Sequence, residues 1–382
     1  MNILGVRLNL LIGPDPVALP APIRMLEALA EVEVSHSDRE RSGFRLTFTV
    51  GRSGPTDLID YELILNPLLQ VHSRVVLTAI FDIRPRVIMD GLVTRRDLVP
   101  GDRPGEGRLV LSGHDLSIAL DRKYNPTEHI NQPEAMIAAK IAASYPQYAM
   151  LPNVRQPPLS TPPLNIEHVP QQTATDWDYL EEMAARFGFV TYVKSGPVPL
   201  QNSLYWGPPI APELPQPALS ANMGPVTNVS GLSFTQDGLA ITMVKSSVKD
   251  ALTGQTMPVF SVVPSRPPLG LVPTFFTGFP SLREVGMETT GLNSLEALAR
   301  AQAKLDSSSD NVLMVNGTLD STRYNDVLLA RELVDLRGAG ATHDGTYLVR
   351  SVTHKIARGG YTQDFTLSRA ELGAKLPLVR VA

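Results

Sequence analysis

The sequence predicts an α+β protein that is mainly β, with α/β insertions between strand-rich ends. Apolar residues alternate with period two near both ends of the chain, helical spacing is confined to a few short stretches, and proline is abundant. There are 33 prolines and 28 glycines in 382 residues, and proline runs well above its usual ~5%. They mark strand ends, turns and extended connectors. They do not mark disorder, because 43% of the residues are hydrophobic and regularly spaced. That apolar content is enough for two or three ordinary cores.

Residues 1–125 form the first β domain. From Gly43 to Val50 the side chains of Phe44, Leu46, Phe48 and Val50 fall on one face, and those of Arg45, Thr47 and Thr49 on the other. Val75–Asp82 is a fuller apolar strand, followed by Val87–Thr94 and Arg108–Ser112. Between the last two, Pro100-Gly101-Asp102-Arg103-Pro104-Gly105 reads as a hairpin loop. Short strands with turns between them point to a small antiparallel barrel or sandwich.

Residues 126–225 form an α/β insertion with proline-rich connectors. Pro133 sits where a first helical residue should, and Ala135–Ala143 is an apolar helix. Six prolines in residues 151–170 exclude a continuous helix or a central strand. Thr175 caps a helix with Asp176 and Asp178 in its first turn, an apolar stripe of Trp177, Leu180, Ala184 and Phe187, and Gly188 at its end. Phe189–Lys194 alternates as a strand, and a second proline-rich connector spans roughly 207–217.

Residues 226–382 form a second β domain with a helical insertion near 293–306. Leu239–Lys249 and Val259–Val263 read as strands, and 264–280 as a linker. In the helix, Asn293 and Glu296 make a capping box, and Leu295, Leu298, Gln302 and Leu305 share a face. Val312–Leu319, Glu332–Arg337, Gly345–Ile356 and Tyr361–Leu367 follow as strands. A faint internal echo links Asp90-Gly91-Leu92-Val93 and its following strand to the stretch Asp344–Val349 and its following strand, as a duplication would.

Several classes of function are disfavoured. A net charge of −4, with no Lys/Arg run longer than a pair such as Arg95-Arg96, argues against nucleic-acid recognition. With no cysteine, neither disulfides nor thiolate metal sites can form. No apolar run approaches a membrane span and no leader pattern opens the chain, so a soluble product made in the cytoplasm is expected. The sequons Asn228-Val229-Ser230 and Asn316-Gly317-Thr318 then carry no weight.

Catalytic constellations are also missing. Gly51-Arg52-Ser53-Gly54-Pro55-Thr56 lacks a phosphate-binding lysine and reads as a turn. The histidines at 36, 72, 114, 129, 168, 343 and 354 show no metal-ligand spacing. His114-Asp115 and His343-Asp344 are neighbours in sequence, which on a strand point to opposite faces. No Gly-x-Ser-x-Gly elbow is present. The acidic cluster Asp176, Asp178, Glu181 and Glu182 is explained by a helix start and its solvated side, and Trp177 by a core anchor. No catalytic, cofactor-binding or metal-binding residue is therefore expected.

Two longer segments resemble signatures of the phage late control protein D family, the tail-hub proteins of contractile phages. Thr175-Asp176-Trp177-Asp178-Tyr179-Leu180-Glu181-Glu182-Met183-Ala184-Ala185-Arg186-Phe187-Gly188-Phe189 is similar to a helix-then-strand element of these hubs and of the hub part of type VI secretion spike proteins. Asp344–Ile356, continuing through Gly360–Arg369, resembles the family's last barrel hairpin, with an aromatic-x-Val core, His354 and a closing Leu-x-Arg. Arg7–Pro14 and Ser42–Phe48 also look like hubs of extracellular contractile injection systems.

The resemblance implies a T4-hub-like fold of two related β-barrel domains. It further implies a homotrimeric ring, a structural part of the baseplate, that adapts a hexameric tail tube to a trimeric spike. No enzymatic activity is implied. Since Leu378-Val379-Arg380-Val381-Ala382 ends the chain soon after the second barrel, a separately encoded spike is expected. The competing readings are a multi-domain β hydrolase acting on cell-wall polysaccharide, which requires two carboxylates converging in a cleft, and another baseplate or tube component.

Overall fold

The computed structural model describes residues 2–3, 6–50, 62–102, 106–158, 170–211, 214–249, 254–275 and 282–375. The segment Gly51–Thr56, His168, and Leu378–Ala382 lie outside these residues.

Six strands build the first module: β1 (Val6–Pro14), β2 (Leu29–Ser37), β3 (Gly43–Val50), β4 (Ser73–Phe81), β5 (Arg84–Val99) and β6 (Gly107–Asp115). Alternation drives them. In β3, Phe44, Leu46, Phe48 and Val50 are buried while Arg45 and Thr49 are exposed. The strand order across the sheet is β2-β3-β6-β5-β4-β1, all antiparallel. Strands from both ends of that path share one core, including Leu8, Leu10 and Ile12 of β1 and Val32 and Val34 of β2, so the sheet curls around it. The mainly antiparallel β architecture is as expected, and among the described residues no hydrogen-bonded closure of the path is found. Side chains complete the roll.

The insertion carries helix α1 (Glu134–Ala143), helix α2 (Asp176–Arg186) and a small sheet of β7 (Met150–Val154), β8 (Val190–Ser195) and β9 (Asn202–Gly207) in the order β7-β9-β8. Pro133 is the N-cap of α1 and not its first residue, because its ψ of 154° is extended. Pro152 lies within β7, inside the proline-rich stretch. It is accommodated because β7 is an edge strand. Trp177 and Trp206 are buried in the core here, and the Trp206 indole donates to the Leu180 carbonyl at 3.2 Å.

The second module holds β10 (Gln216–Ser220), β11 (Val229–Gln236), β15 (Leu313–Asp320), β16 (Leu333–Arg337), β17 (Gly345–Ala357) and β18 (Gly360–Arg369). Between β11 and β15 lies a subdomain of β12 (Thr242–Lys249), β13 (Thr256–Ser261), β14 (Arg283–Val285) and helix α3 (Ser294–Ser309). The Asn293 and Glu296 capping box of α3 forms. The expected leucine face does not: Leu295 is exposed, and the helix is seated by Ala297, Ala299, Ala301, Ala303 and Leu305. Small side chains let α3 approach β12 and β13 on one side and α2 on another, so burial spreads beyond a single stripe.

The second module orders its strands β11-β15-β18-β17-β16-β10. Ranked by appearance within its module, each path reads second, third, sixth, fifth, fourth, first. The two modules therefore share one connectivity. Their bulges also coincide: β5 slips register against β6 between Val93 and Arg95, and β17 against β18 between Val349 and Ser351. Just before β4 and β16, His72 and Arg331 both adopt φ 69°. Each donates its backbone N–H to the carbonyl before the bulge, Val93 or Val349, at 2.7 Å. One difference is that β1 runs antiparallel to β4 whereas β10 runs parallel to β16.

Candidate functional site

Where the modules meet, β2 adds to the outer half of β17. The pairing is antiparallel and runs from Ser351 opposite Ser37 to Ala357 opposite Glu31. With the short strands Asn2–Ile3 and Leu19–Pro20 that flank β1, it fuses the two six-stranded modules into one fourteen-stranded sheet, and Ile356 and Tyr361 of the second module join the first module's core. This junction is built from residues at opposite ends of the chain.

Two histidines, His354 buried and His36 partly buried, face each other across it, rings 5.6 Å apart and nearly perpendicular. His36 lies within hydrogen-bond reach of the Ile88 carbonyl through Nε2 at 2.8 Å and of the Ser42 hydroxyl through Nδ1 at 3.1 Å. A carbonyl only accepts, so Nε2 carries the proton and Nδ1 accepts from Ser42. Burial, reinforced by Arg331, lowers the His36 pKa to about 4. His354, beside the Tyr361 hydroxyl at 3.0 Å, is held well below its ordinary value by burial and then by His36. Both rings are neutral packing elements at pH 7.

Beside them Arg331 donates to the Ser37 carbonyl through Nε at 3.0 Å and through Nη2, and to the Ser42 hydroxyl at 3.1 Å. Its guanidinium lies 4.1 Å from the Tyr192 ring centre, tying the insertion to the seam. At the β17 bulge, Arg350 pairs with Asp38 at 2.8 Å and approaches Asp310 at 3.7 Å. Arg266 closes the cluster with 3.1 Å to Asp310 and 3.2 Å to the Gly188 carbonyl. Burial raises the carboxyls of Asp38 and Asp310 and the arginines oppose that shift. Two carboxylates and two guanidiniums thus lock both modules, α3 and the insertion to one another. Arg86 donates to both carboxylate oxygens of Asp326 through Nε and Nη2, at 2.9 and 2.8 Å, as a second tie.

Read as chemistry, the cluster neutralises charge. Asp176 is buried and accepts from Asn125, Tyr145 and Gln172 at 2.9, 2.7 and 2.6 Å, while Asp178 donates its backbone N–H to the Thr175 cap. Glu182 pairs with Arg186 on the surface. A cleft between β6 and α2 holds Asp115 and Glu181, both raised by burial, together with Arg41 and Arg331. Asp115 accepts from the hydroxyl and the backbone N–H of Ser117. Asp344 accepts from the Ala339 N–H at 2.7 Å. No group of three or more His, Asp or Glu side chains that could hold a metal occurs among the described residues. Among the same residues no helix is long and apolar enough to cross a membrane.

The sequence reading missed Asp38 and Arg331 and gave Arg350 no role of its own. No local pattern marks them, because their partners come from the far end of the chain. Arg350 and His354 both stood within the segment Asp344–Ile356 singled out beforehand.

No family model and no curated protein matches the chain. Solved structures do. A tail protein from Neisseria meningitidis MC58 is 14% identical, with a TM-score of 0.63 over 95% of this chain and 96% of that one. The 43 kDa tail protein of prophage MuSo2 from Shewanella oneidensis is 12% identical, with a TM-score of 0.65 over 95% and 99%. The E. coli c3393 protein, described as a component of the type VI secretion system similar to the T4 tail proteins gp27 and gp5, is 12% identical, with a TM-score of 0.54 over 93% and 76%. At these identities the likeness is one of fold.

Proposed function

We propose that the chain is a structural hub of a contractile phage tail or tail-derived injection system. Three copies form a ring that joins a hexameric tail tube to a trimeric spike, among other baseplate proteins. The carrying observation is the repeated strand connectivity. A chain with two like modules, present three times, offers six similar units to a sixfold partner while keeping a threefold face for a spike. The fold shared with phage tail proteins over nearly their whole length supports this reading. The neutralised, hydrogen-bonded carboxylates favour a mechanical role over hydrolysis. In that role the chain is made in the cytoplasm, assembled into the particle, and driven with tube and spike into the target on sheath contraction.

Co-expression with a candidate trimeric spike protein, followed by mass measurement and imaging, tests the proposal. Three copies per spike, with both modules arranged around a common pore, are expected. A complex of another copy number, or a monomer that binds neither spike nor tube, overturns it.

A further inference from the structure

Given that ring, we infer that it closes by antiparallel pairing of β11 with the outer half of β5, Thr94–Val99, of the next copy, in a register dictated by the junction inside each chain. Within one chain the second-ranked strand of the first module, β2, adds to the outer half of the fifth-ranked strand of the second module, β17. The reciprocal pair, β11 and β5, is left over. β11 ends the sheet path with one edge carrying no strand among the described residues. The first half of β5 holds β4 on one side. Beyond Leu92 that same side carries no strand among the described residues, while β6 occupies the other. A sheet edge with a complementary edge one module away is a template for pairing between chains.

The shared bulges fix the register. Val93 matches Val349 and Arg95 matches Ser351. Through the cross-strand partners Gly113 and Leu367, Phe44 matches Val315, and hence Val34 matches Phe234. The internal pairs Ser351–Ser37, Thr353–Ser35 and His354–Val34 then translate to Arg95–Asp237, Asp97–Thr235 and Leu98–Phe234 between chains. The chemistry of these residues agrees. Arg95 meets an opposite charge. Leu98, 43% exposed, occupies the place of His354, which is 1% exposed inside the chain, and would face an aromatic ring. Pro100 stands where Ile356 does and has no N–H to give, so the ladder ends near Val99.

Cysteine pairs test this in a chain that has none of its own. The Asp38 N–H reaches the Arg350 carbonyl at 2.9 Å, which makes Thr353–Ser35 a non-hydrogen-bonded pair. Such pairs have Cα atoms about 4.5 Å apart, within disulfide reach. The variant Asp97→Cys with Thr235→Cys, co-expressed with the spike and oxidised, is expected to give covalent trimers on a non-reducing gel. Val99→Cys with Ser233→Cys is expected to do the same. Ser35→Cys with Thr353→Cys should close within one chain, and Asp97→Cys with Gln236→Cys, a one-residue slip that reverses the face, should crosslink poorly. Trimers by mass in which neither in-register pair crosslinks overturn the seam and leave the ring. Uncrosslinked monomers overturn both, and crosslinked open chains longer than three uphold the seam and overturn the closed trimer. A slipped pair that crosslinks as well as the in-register pairs overturns the register.

Discussion

Charge and protonation at single residues decide how firmly the modules hold together. The side chains of Arg350 and Asp38 are both 7% exposed and each is the other's nearest counter-charge. Replacing Arg350 by Ala takes from Asp38 its nearest counter-charge, while Asp310 keeps Arg266, and is expected to lower unfolding free energy by about 3–5 kcal/mol in urea titration. Replacing Arg350 by Met together with Asp38 by Leu is expected to cost much less, since it removes the charges with their desolvation. His36 adds a pH dependence of known sign. Unfolded, the ring takes up a proton below about pH 6.5; folded, it stays neutral down to about 4. The unfolded state therefore binds more protons across that window, and stability, full above 6.5, is lost as pH falls through it. The loss should reach at most about 3 kcal/mol, and in His36→Gln the urea midpoint should change less between pH 7 and pH 5.

At the scale of elements, the helices are held by caps that sit next to them in sequence. Asn293 accepts from the Glu296 N–H at 2.8 Å, and Asn293→Ala is expected to cost about 1 kcal/mol in thermal or urea unfolding. Gly188, which ends α2, has φ 63°, and a Cβ there would sit 3.0 Å from the Ala303 Cα of α3. Gly188→Ala therefore combines backbone strain with a clash and is expected to destabilise more than loss of the α3 cap. These features were readable because each depends on residues a few positions apart. The Thr175 cap and the alternation of β3 were as open to reading as the Asn293 box. The burial of α3 was not, because the partners that select its alanines over Leu295 come from β12, β13 and α2, and no helical period contains them.

For the whole molecule, continuity of the sheet is the governing fact. The amides of β2 and β17 at the junction are expected to exchange as slowly as those of the module cores, because opening the seam exposes a shared hydrophobic cluster. The outer edge of β11 is expected to exchange rapidly in the isolated chain and to become protected in the ring. Hydrogen exchange measured by mass spectrometry reads both outcomes, and equal protection of β11 in the two states contradicts the closure proposed here.

By itself the sequence determined the β character of both ends and the helix starts at Thr175 and Asn293. Each follows from propensity, periodicity or capping within a short window. Only the tertiary structure decided that the two modules share one strand order, that β2 crosses over to β17, and that Asp38, Arg331 and Arg350 are buried together. Strand partners and counter-charges are chosen by whichever surfaces the folded chain brings into contact, and the spacing of residues along the chain holds no record of that choice.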